Sequence, residues 1–264
     1  MICRTLEVAR SSAYYRERER APIVDEVLAQ RIKHFIDAEP YLGYRMVWAR
    51  LRGNGIKANR KAVQRVMQIK GWQCHRRLKK RCSPRVESSP SVATISNVRW
   101  ASDATYIWTE YDGLVYANIV IDCADRECVG RNISRRNDAR EAAWALEDGL
   151  LRRFGALPKG DAGVTLRTDN ALVYASELYR NLVRSYGLRQ EFILPHTPEQ
   201  NGVAESFIGT LKLECIWQHR FKTFDEAKVT IDAWIDHYNE TRPHSRLGYV
   251  SPAEWRRRQT ELSA

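Results

Sequence analysis

No acidic residue occurs between Tyr41 and Val86, a stretch of 46 residues that holds fourteen Lys or Arg. Ordinary solvated surfaces intersperse both signs, so a one-sided run of this length points to a polyanionic partner. Nucleic acid is favoured over a membrane surface, because no apolar anchor follows the run. No apolar run approaches the roughly 20 residues of a membrane-spanning helix, and Met1-Ile2-Cys3-Arg4 lacks the uninterrupted apolar stretch of a secretory signal. The expected location is the cytosol, with no membrane partner. The six cysteines include no C-x-x-C pair, which argues against a zinc ribbon or a disulfide framework and for reduced thiols. Cys74-His75 with Cys82 is the nearest approach to a zinc cluster, and it lacks a second His at usable spacing. Internal repeats and low-complexity tracts are absent as well.

What is present falls into two unequal parts. The chain has 264 residues and a net charge of +11, and residues 1–96 hold 21 Lys or Arg against 8 Asp or Glu, whereas residues 97–264 hold 22 against 24. Residues 1–22 carry little apolar periodicity and read as a connector to something upstream. Ile23, Val24, Val27, Leu28, Ile32, Phe35 and Ile36 recur at helical spacing. A second helix is expected from Tyr44 to Leu51, ended by Gly53-Asn54-Gly55. A third is capped by Asn59, carries Val63, Val66, Met67 and Ile69, and stops at Gly71. Helix, Gly-rich turn and basic helix make a helix-turn-helix-like DNA-binding domain over 23–74, with Arg60, Lys61, Gln64 and Arg65 facing a DNA groove. A plain three-helix bundle with a basic surface is the competing reading. The segment 75–95, with Arg76, Arg77, Lys79 and Lys80, is polar and interrupted by Pro84 and Pro90. It reads as a basic linker lying along a phosphate backbone.

From residue 96 onward the pattern changes to an α/β domain. Thr105–Thr109 and Leu114–Ile121 are β-branched and aromatic, with Asp112-Gly113 as a hairpin signal between them. Cys128–Ser134 extends the meander, and a helix from Ala139 to Phe154 ends at Gly155. Val164–Thr168 reads as a buried strand, a helix follows through Leu178, Leu182 and Val183, and Glu191–Leu194 is a last short strand. Three antiparallel strands followed by alternating helix and strand describe a mixed sheet covered by helices. Thr197-Pro198-Glu199-Gln200, Thr223-x-x-Glu226 and Ser251-Pro252-Ala253-Glu254 each read as a helix start. Asp122 and Asp125 are taken as turn residues.

Three carboxylates stand on separate core elements. Asp103 is expected at the start of the first strand, Asp169 just beyond Val164–Thr168, and Glu205 about two turns into the helix that opens at Thr197. Phosphodiester chemistry needs a nucleophile brought to an anionic phosphate and a leaving oxygen whose charge is stabilised. Carboxylates alone would repel the substrate, whereas two Mg²⁺ ions held by them meet both needs. Gly202 costs about 1 kcal/mol in a helix interior, which suggests either a close approach of backbone or DNA or a frayed helix start.

Glu205 follows Asp169 with 35 residues between them, and Lys212 comes seven residues after Glu205. Around them stand Trp100-x-x-Asp103-x-Thr105, Thr168-Asp169-Asn170, Pro198-Glu199-Gln200-Asn201-Gly202-x-x-Glu205-Ser206-Phe207, and Tyr238-Asn239-x-x-Arg242-Pro243-His244-Ser245-x-Leu247-Gly248-Tyr249-x-Ser251-Pro252. In these motifs and over nearly its whole length the chain resembles the retroviral-integrase-like DDE transposases of bacterial insertion sequences, and among them the downstream-frame product of two-frame elements. The resemblance implies an RNase H-like five-stranded catalytic fold over 96–264 and DNA cleavage and joining without a covalent enzyme intermediate. It implies catalytic and metal-binding roles for Asp103, Asp169 and Glu205 toward two Mg²⁺ ions, with Mn²⁺ able to substitute, and a DNA contact for Lys212 near the reacting phosphate. The implied partners are double-stranded DNA (element ends and target), an upstream-frame product, fused or separate, and further copies of the chain on DNA. One departure is Ala171, where the family often has Gly two residues after its second Asp. A methyl group there would be expected to tilt the turn that aims Asp169. His244 is read as either a DNA contact or a loop residue. Two other activities use much of the same sequence: a DNA-binding regulator of transposition that no longer cuts, and an RNase H-type nuclease that hydrolyses without joining.

Overall fold

A computed structural model describes residues 9, 15, 23–74, 93–194 and 197–263. Most of the expected connector and linker, and with them Arg76, Arg77, Lys79 and Lys80, lie outside the described residues. The chain divides into two compact units, one of Met1–Leu51 and Ile56–Cys74, the other of Arg52–Gly55 and His75–Ala264.

The first unit is helical. Helices α1 (Glu26–Ala38), α2 (Tyr44–Gly53) and α3 (Arg60–Ile69) enclose Ala29, Ile32, Leu42, Val47, Leu51, Val63, Val66 and Met67. The first helix starts later than the apolar spacing suggests, because Asp25 caps it by accepting from Leu28 N at 3.0 Å. Ile23 thus falls before the helix and is exposed. Asn59 caps α3 as expected, accepting from Lys61 N at 2.8 Å. Gly55 and Gly71 both take positive φ, +73° and +69°, which ends α2 and α3 without the strain a side chain would bring.

In the second unit a five-stranded sheet has the order β3-β2-β1-β4-β5. Its strands are β1 (Arg99–Thr109), β2 (Gly113–Asp122), β3 (Cys128–Ser134), β4 (Thr165–Thr168) and β5 (Arg189–Phe192). The first three form an antiparallel meander, and β4 joins β1 in parallel over only Arg99–Ala101. Helices α4 (Ala139–Phe154), α5 (Leu172–Ala175) and α6 (Glu177–Ser185) supply Leu146, Leu150, Tyr174, Tyr179 and Val183 to one face, where Trp100, Val120 and Leu166 meet them. Helices α7 (Gly202–Glu214) and α8 (Phe224–Thr241) cover the other face, bringing Phe207, Leu211, Ile231 and Trp234 against Ala101, Ile107, Ile119 and Ile121. A last helix, α9 (Pro252–Ser263), packs on α8. The alternation of the strands thus feeds two apolar cores, one per sheet face. On the α4 side backbone meets backbone: a Cβ on Gly130 would stand 2.0 Å from the carbonyl oxygen of Ala145.

Two expectations need correction. The first strand begins at Arg99, so Asp103 lies inside it, four residues from its start. Thr197-Pro198-Glu199-Gln200 does not cap an α-helix: Pro198–Asn201 is a 3₁₀ turn, and α7 begins at Gly202. The Thr197 hydroxyl donates to Leu194 O instead, at 2.6 Å. Glu205 therefore sits in the first turn of α7, where the helix dipole favours a negative charge.

Candidate active site

Asp103 lies on the β1 face that α7 covers. Burial pushes its pKa up to about 6, and the negative charges of Asp169 and Glu205 add to the rise. A hydrogen bond from its neighbour Ala104 N, at 2.8 Å, and the positive charge of Lys212 act the other way. Strand β1, the end of β4 and one side of α7 thus bring Asp169, Glu205 and Lys212 within electrostatic reach of Asp103. Among the described residues, however, no three His, Cys, Asp or Glu side chains form a ready-made ion cage. Asp169 is half-buried and Glu205 exposed.

Backbone contacts fix these elements together. Asp169 Oδ1 accepts from Ala171 N at 3.0 Å, an Asx turn that aims the carboxylate. Ala171 holds φ −62° and ψ 145°, an ordinary extended conformation, so the methyl group expected to tilt this turn brings no backbone strain. Asn170 Nδ2 donates to Ile193 O at 3.0 Å. The 3₁₀ turn that precedes Glu205 is pinned to both strands: buried Asn201 donates from Nδ2 to Ser102 O at 3.3 Å, and buried Arg167 from Nη1 to Gln200 O at 3.0 Å. Arg167 also meets Glu191, with Nη2 2.9 Å from Oε2. No motif marks Arg167, yet the sequence carries a signal for it: an arginine in the middle of a strand that reads as buried requires an acceptor. Gly202 starts α7, and a Cβ there would meet nothing within 4 Å, which agrees with a helix start and not with a close backbone approach.

Lys212 lies with its Nζ 5.4 Å from the centroid of the Tyr106 ring, a cation–π distance, in addition to its link to Asp103. In the first unit Arg60, Lys61 and Arg65 are exposed on α3 and Gln64 is half-buried, opposite the buried Val63, Val66 and Met67.

Other residues of the recurring motifs are structural. Asn239 clamps α8 to β3, accepting from Cys128 N at 2.9 Å and donating to Cys128 O at 3.0 Å. Arg242 makes a two-pronged pair with Glu214 at the end of α7, at 2.8 and 2.6 Å. His244 packs edge-to-face on Tyr238, ring centroids 4.9 Å apart, in the role of a loop residue. Asp122 and Asp125 do form a turn, and a buried one. Asp122 accepts from Asn97 N at 2.6 Å and Ala124 N at 2.7 Å, and Asp125 pairs with Arg153 at 2.9 Å. Cys74, Cys123, Cys128 and Cys215 are free thiols, and burial pushes Cys123 and Cys215 up to about 12, leaving them inert. Among the described residues no helix is long and apolar enough to cross a membrane.

Comparison with known proteins bears on these observations. Residues 93–198 and 186–252 match two families described as integrase core domains, and residues 23–80 match an HTH-like domain. The transposase InsD for insertion element IS2A/D/F/H/I/K of Escherichia coli is 34% identical over 235 residues, covering 86% of this chain and 77% of that protein. The InsD transposase for insertion element IS2-9 of the K12 strain is 34% identical over the same length. Among solved structures, the simian T-cell lymphotropic virus intasome in complex with PP2A regulatory subunit B56 gamma aligns with a TM-score of 0.52 at 16% identity, over 86% of this chain and 74% of the matched chain. That likeness shows the fold. The chain belongs to the insertion-element transposases, polynucleotidyl-transferase enzymes built on an RNase H-like integrase core with a helix-turn-helix-like domain before it.

Proposed function

We propose that this chain cleaves and joins DNA strands at the ends of an insertion sequence, with Asp103, Asp169 and Glu205 as the catalytic carboxylates. The observation that carries this reading is the tying of three elements around Asp103: Asn201 bonds the turn before Glu205 to Ser102 on β1, and Arg167, on the strand that leads into Asp169, bonds the same turn at Gln200. Asp103, Asp169 and Glu205 thus come from β1, the end of β4 and α7, and three negative charges in one site call for cations.

The donor set fits hard divalent ions. It consists of carboxylate oxygens with no thiolate or imidazole, as Mg²⁺ and Mn²⁺ prefer. Asp103 and Asp169 would share two such ions and Glu205 would hold the second. When bound, the ions supply Lewis-acid stabilisation of the attacking and leaving oxygens of the phosphate. The protein's own part is positioning. Asn201 and Arg167 hold the Glu205 helix to the two strands. Lys212 presents its ammonium to a phosphate beside Asp103. Arg60, Lys61, Gln64 and Arg65 on α3 engage the terminal repeat, which gives the domain at 23–74 the task of holding DNA and the core at 96–264 the task of cutting it. An upstream-frame product, and further copies of the chain, complete the assembly on double-stranded DNA in the cytosol.

The test uses labelled duplexes carrying the element's terminal repeats, with and without the upstream product. Strand cleavage and joining should require Mg²⁺ or Mn²⁺ and disappear in Glu205→Gln. Sequence-specific binding without metal-dependent cleavage in either condition would replace this reading with that of a DNA-binding regulator. Cleavage without joining would favour a nuclease.

A further inference from the structure

The β1–β2 hairpin leaves an aromatic face uncovered. Tyr106 pairs with Tyr116 and Trp108 with Leu114 across the antiparallel ladder, so the period of two places all four side chains on one face. Further down, the same face carries Trp100 and Val120 into the core under α4 and α6. Beyond that cover Tyr106 is 64%, Trp108 68% and Leu114 43% exposed, and Tyr116 is half-buried. Isolated exposed aromatics are ordinary, but a contiguous set calls for an occupant.

Two observations identify its chemistry. The patch lies on the face of β1 opposite Asp103, and Lys212 links the two beside the stretch of β1 that β4 leaves unpaired beyond Ala101: its Nζ stands 5.4 Å from the Tyr106 ring centroid and its charge acts on Asp103. A phosphate drawn to the Lys212 ammonium would therefore have its attached base beside Tyr106 and Trp108. Aromatic faces next to a cation suit the π-face of a base, which an unpaired base offers freely and which base pairs inside a duplex, stacked above and below, withhold. A second protein copy fits less well: four side chains are far fewer than the ~20–30 residues per side of a stable interface.

We propose that Tyr106 and Trp108, with Leu114 and Tyr116 beside them, form a stacking platform for an unpaired nucleotide of the DNA strand that enters the active site. This rests on the function proposed above, yet its test does not depend on catalysis. The full chain is titrated, without divalent ions, against a blunt duplex and against the same duplex with a short single-stranded tail containing 2-aminopurine. The wild-type chain should bind the tailed duplex more tightly and quench the 2-aminopurine. Tyr106→Ala and Trp108→Ala should each weaken tailed binding by about tenfold or more, lose the quench and leave blunt-duplex affinity unchanged. Tyr106→Phe keeps the ring and should retain both. Equal wild-type affinity for the two duplexes overturns the proposal, as do alanine variants that keep the quench. Alanine variants that change sedimentation but not tail binding overturn it in favour of a protein interface. If strand transfer holds and the tail preference fails, only the platform is lost; if the tail preference holds without metal-dependent cleavage, only the catalytic reading is lost.

Discussion

Arg167, on the strand that runs into Asp169, donates from Nη1 to the carbonyl of Gln200, 3.0 Å away, in the turn that leads to Glu205. One guanidinium thus spans the two elements that carry the second and third carboxylates, while its pair with Glu191 satisfies its charge. Arg167→Leu should abolish this tie. A misplacement of about 1 Å in a catalytic group is enough to cost ~100-fold in rate. We expect strand joining to fall by at least that factor at temperatures where circular dichroism shows the variant folded. Arg167→Lys should not restore it, because an ammonium lacks the planar fork that reaches Gln200 and Glu191 together. A folded Arg167→Leu protein with wild-type joining would show that Arg167 has no part in positioning Glu205.

The raised pKa of Asp103 gives a second prediction, one that needs no DNA. Without divalent ions, the carboxyl ¹³C shift of Asp103 should titrate at about 6. Glu205→Gln and Asp169→Asn each remove a negative neighbour and should lower that value; Lys212→Met removes a positive one and should raise it. Because bound divalent ions require the carboxylate form, their affinity should weaken as pH falls through 6. A titration near the ordinary 3.8 that none of these substitutions moves would mean the groups do not converge.

How much of this was legible in the sequence depends on whether the local signal was redundant. Strand Cys128–Ser134 and helix Ala139–Phe154 have the bounds read from their patterns, because alternation, helical spacing and Gly155 all agree. The N-terminus of α7 is ambiguous in the sequence, because a threonine followed by Pro-Glu-Gln suits a 3₁₀ turn as well as an α-helix. What decides between them is tertiary: Thr197 and Gln200 both bond back to Leu194, which closes the turn on itself. The start of β1 was placed late because Asp103 and Ser102 interrupt the β-branched run, whereas the parallel pairing with β4 that extends the strand to Arg99 has no local signature. The three carboxylates were visible through their spacing. The platform residues were read only as strand formers, since exposure is not encoded in the type of a residue.

The last prediction concerns His244, which the motif marks and the structure makes a packing residue. Burial first, then the positive charges of Arg242 and Arg126, lower its pKa from 6.5 to about 3. The folded state therefore binds fewer protons at this residue than the unfolded chain between pH 3 and 6.5. Stability from the neutral ring is present above 6.5 and is lost as pH falls through that window. With its partial exposure taken into account, the loss between pH 7 and pH 5 is ~1–2 kcal/mol. The ring contributes an edge-to-face contact with Tyr238, while its backbone N and O hold Val250 and Tyr249 at 2.9 and 2.7 Å, so His244→Phe keeps the loop and the aromatic contact but cannot titrate. Urea midpoints of wild type and His244→Phe should diverge as the pH is lowered from 7 to 5, the wild type losing more. Parallel curves would place the imidazole in solvent and return it to the set of residues available for DNA.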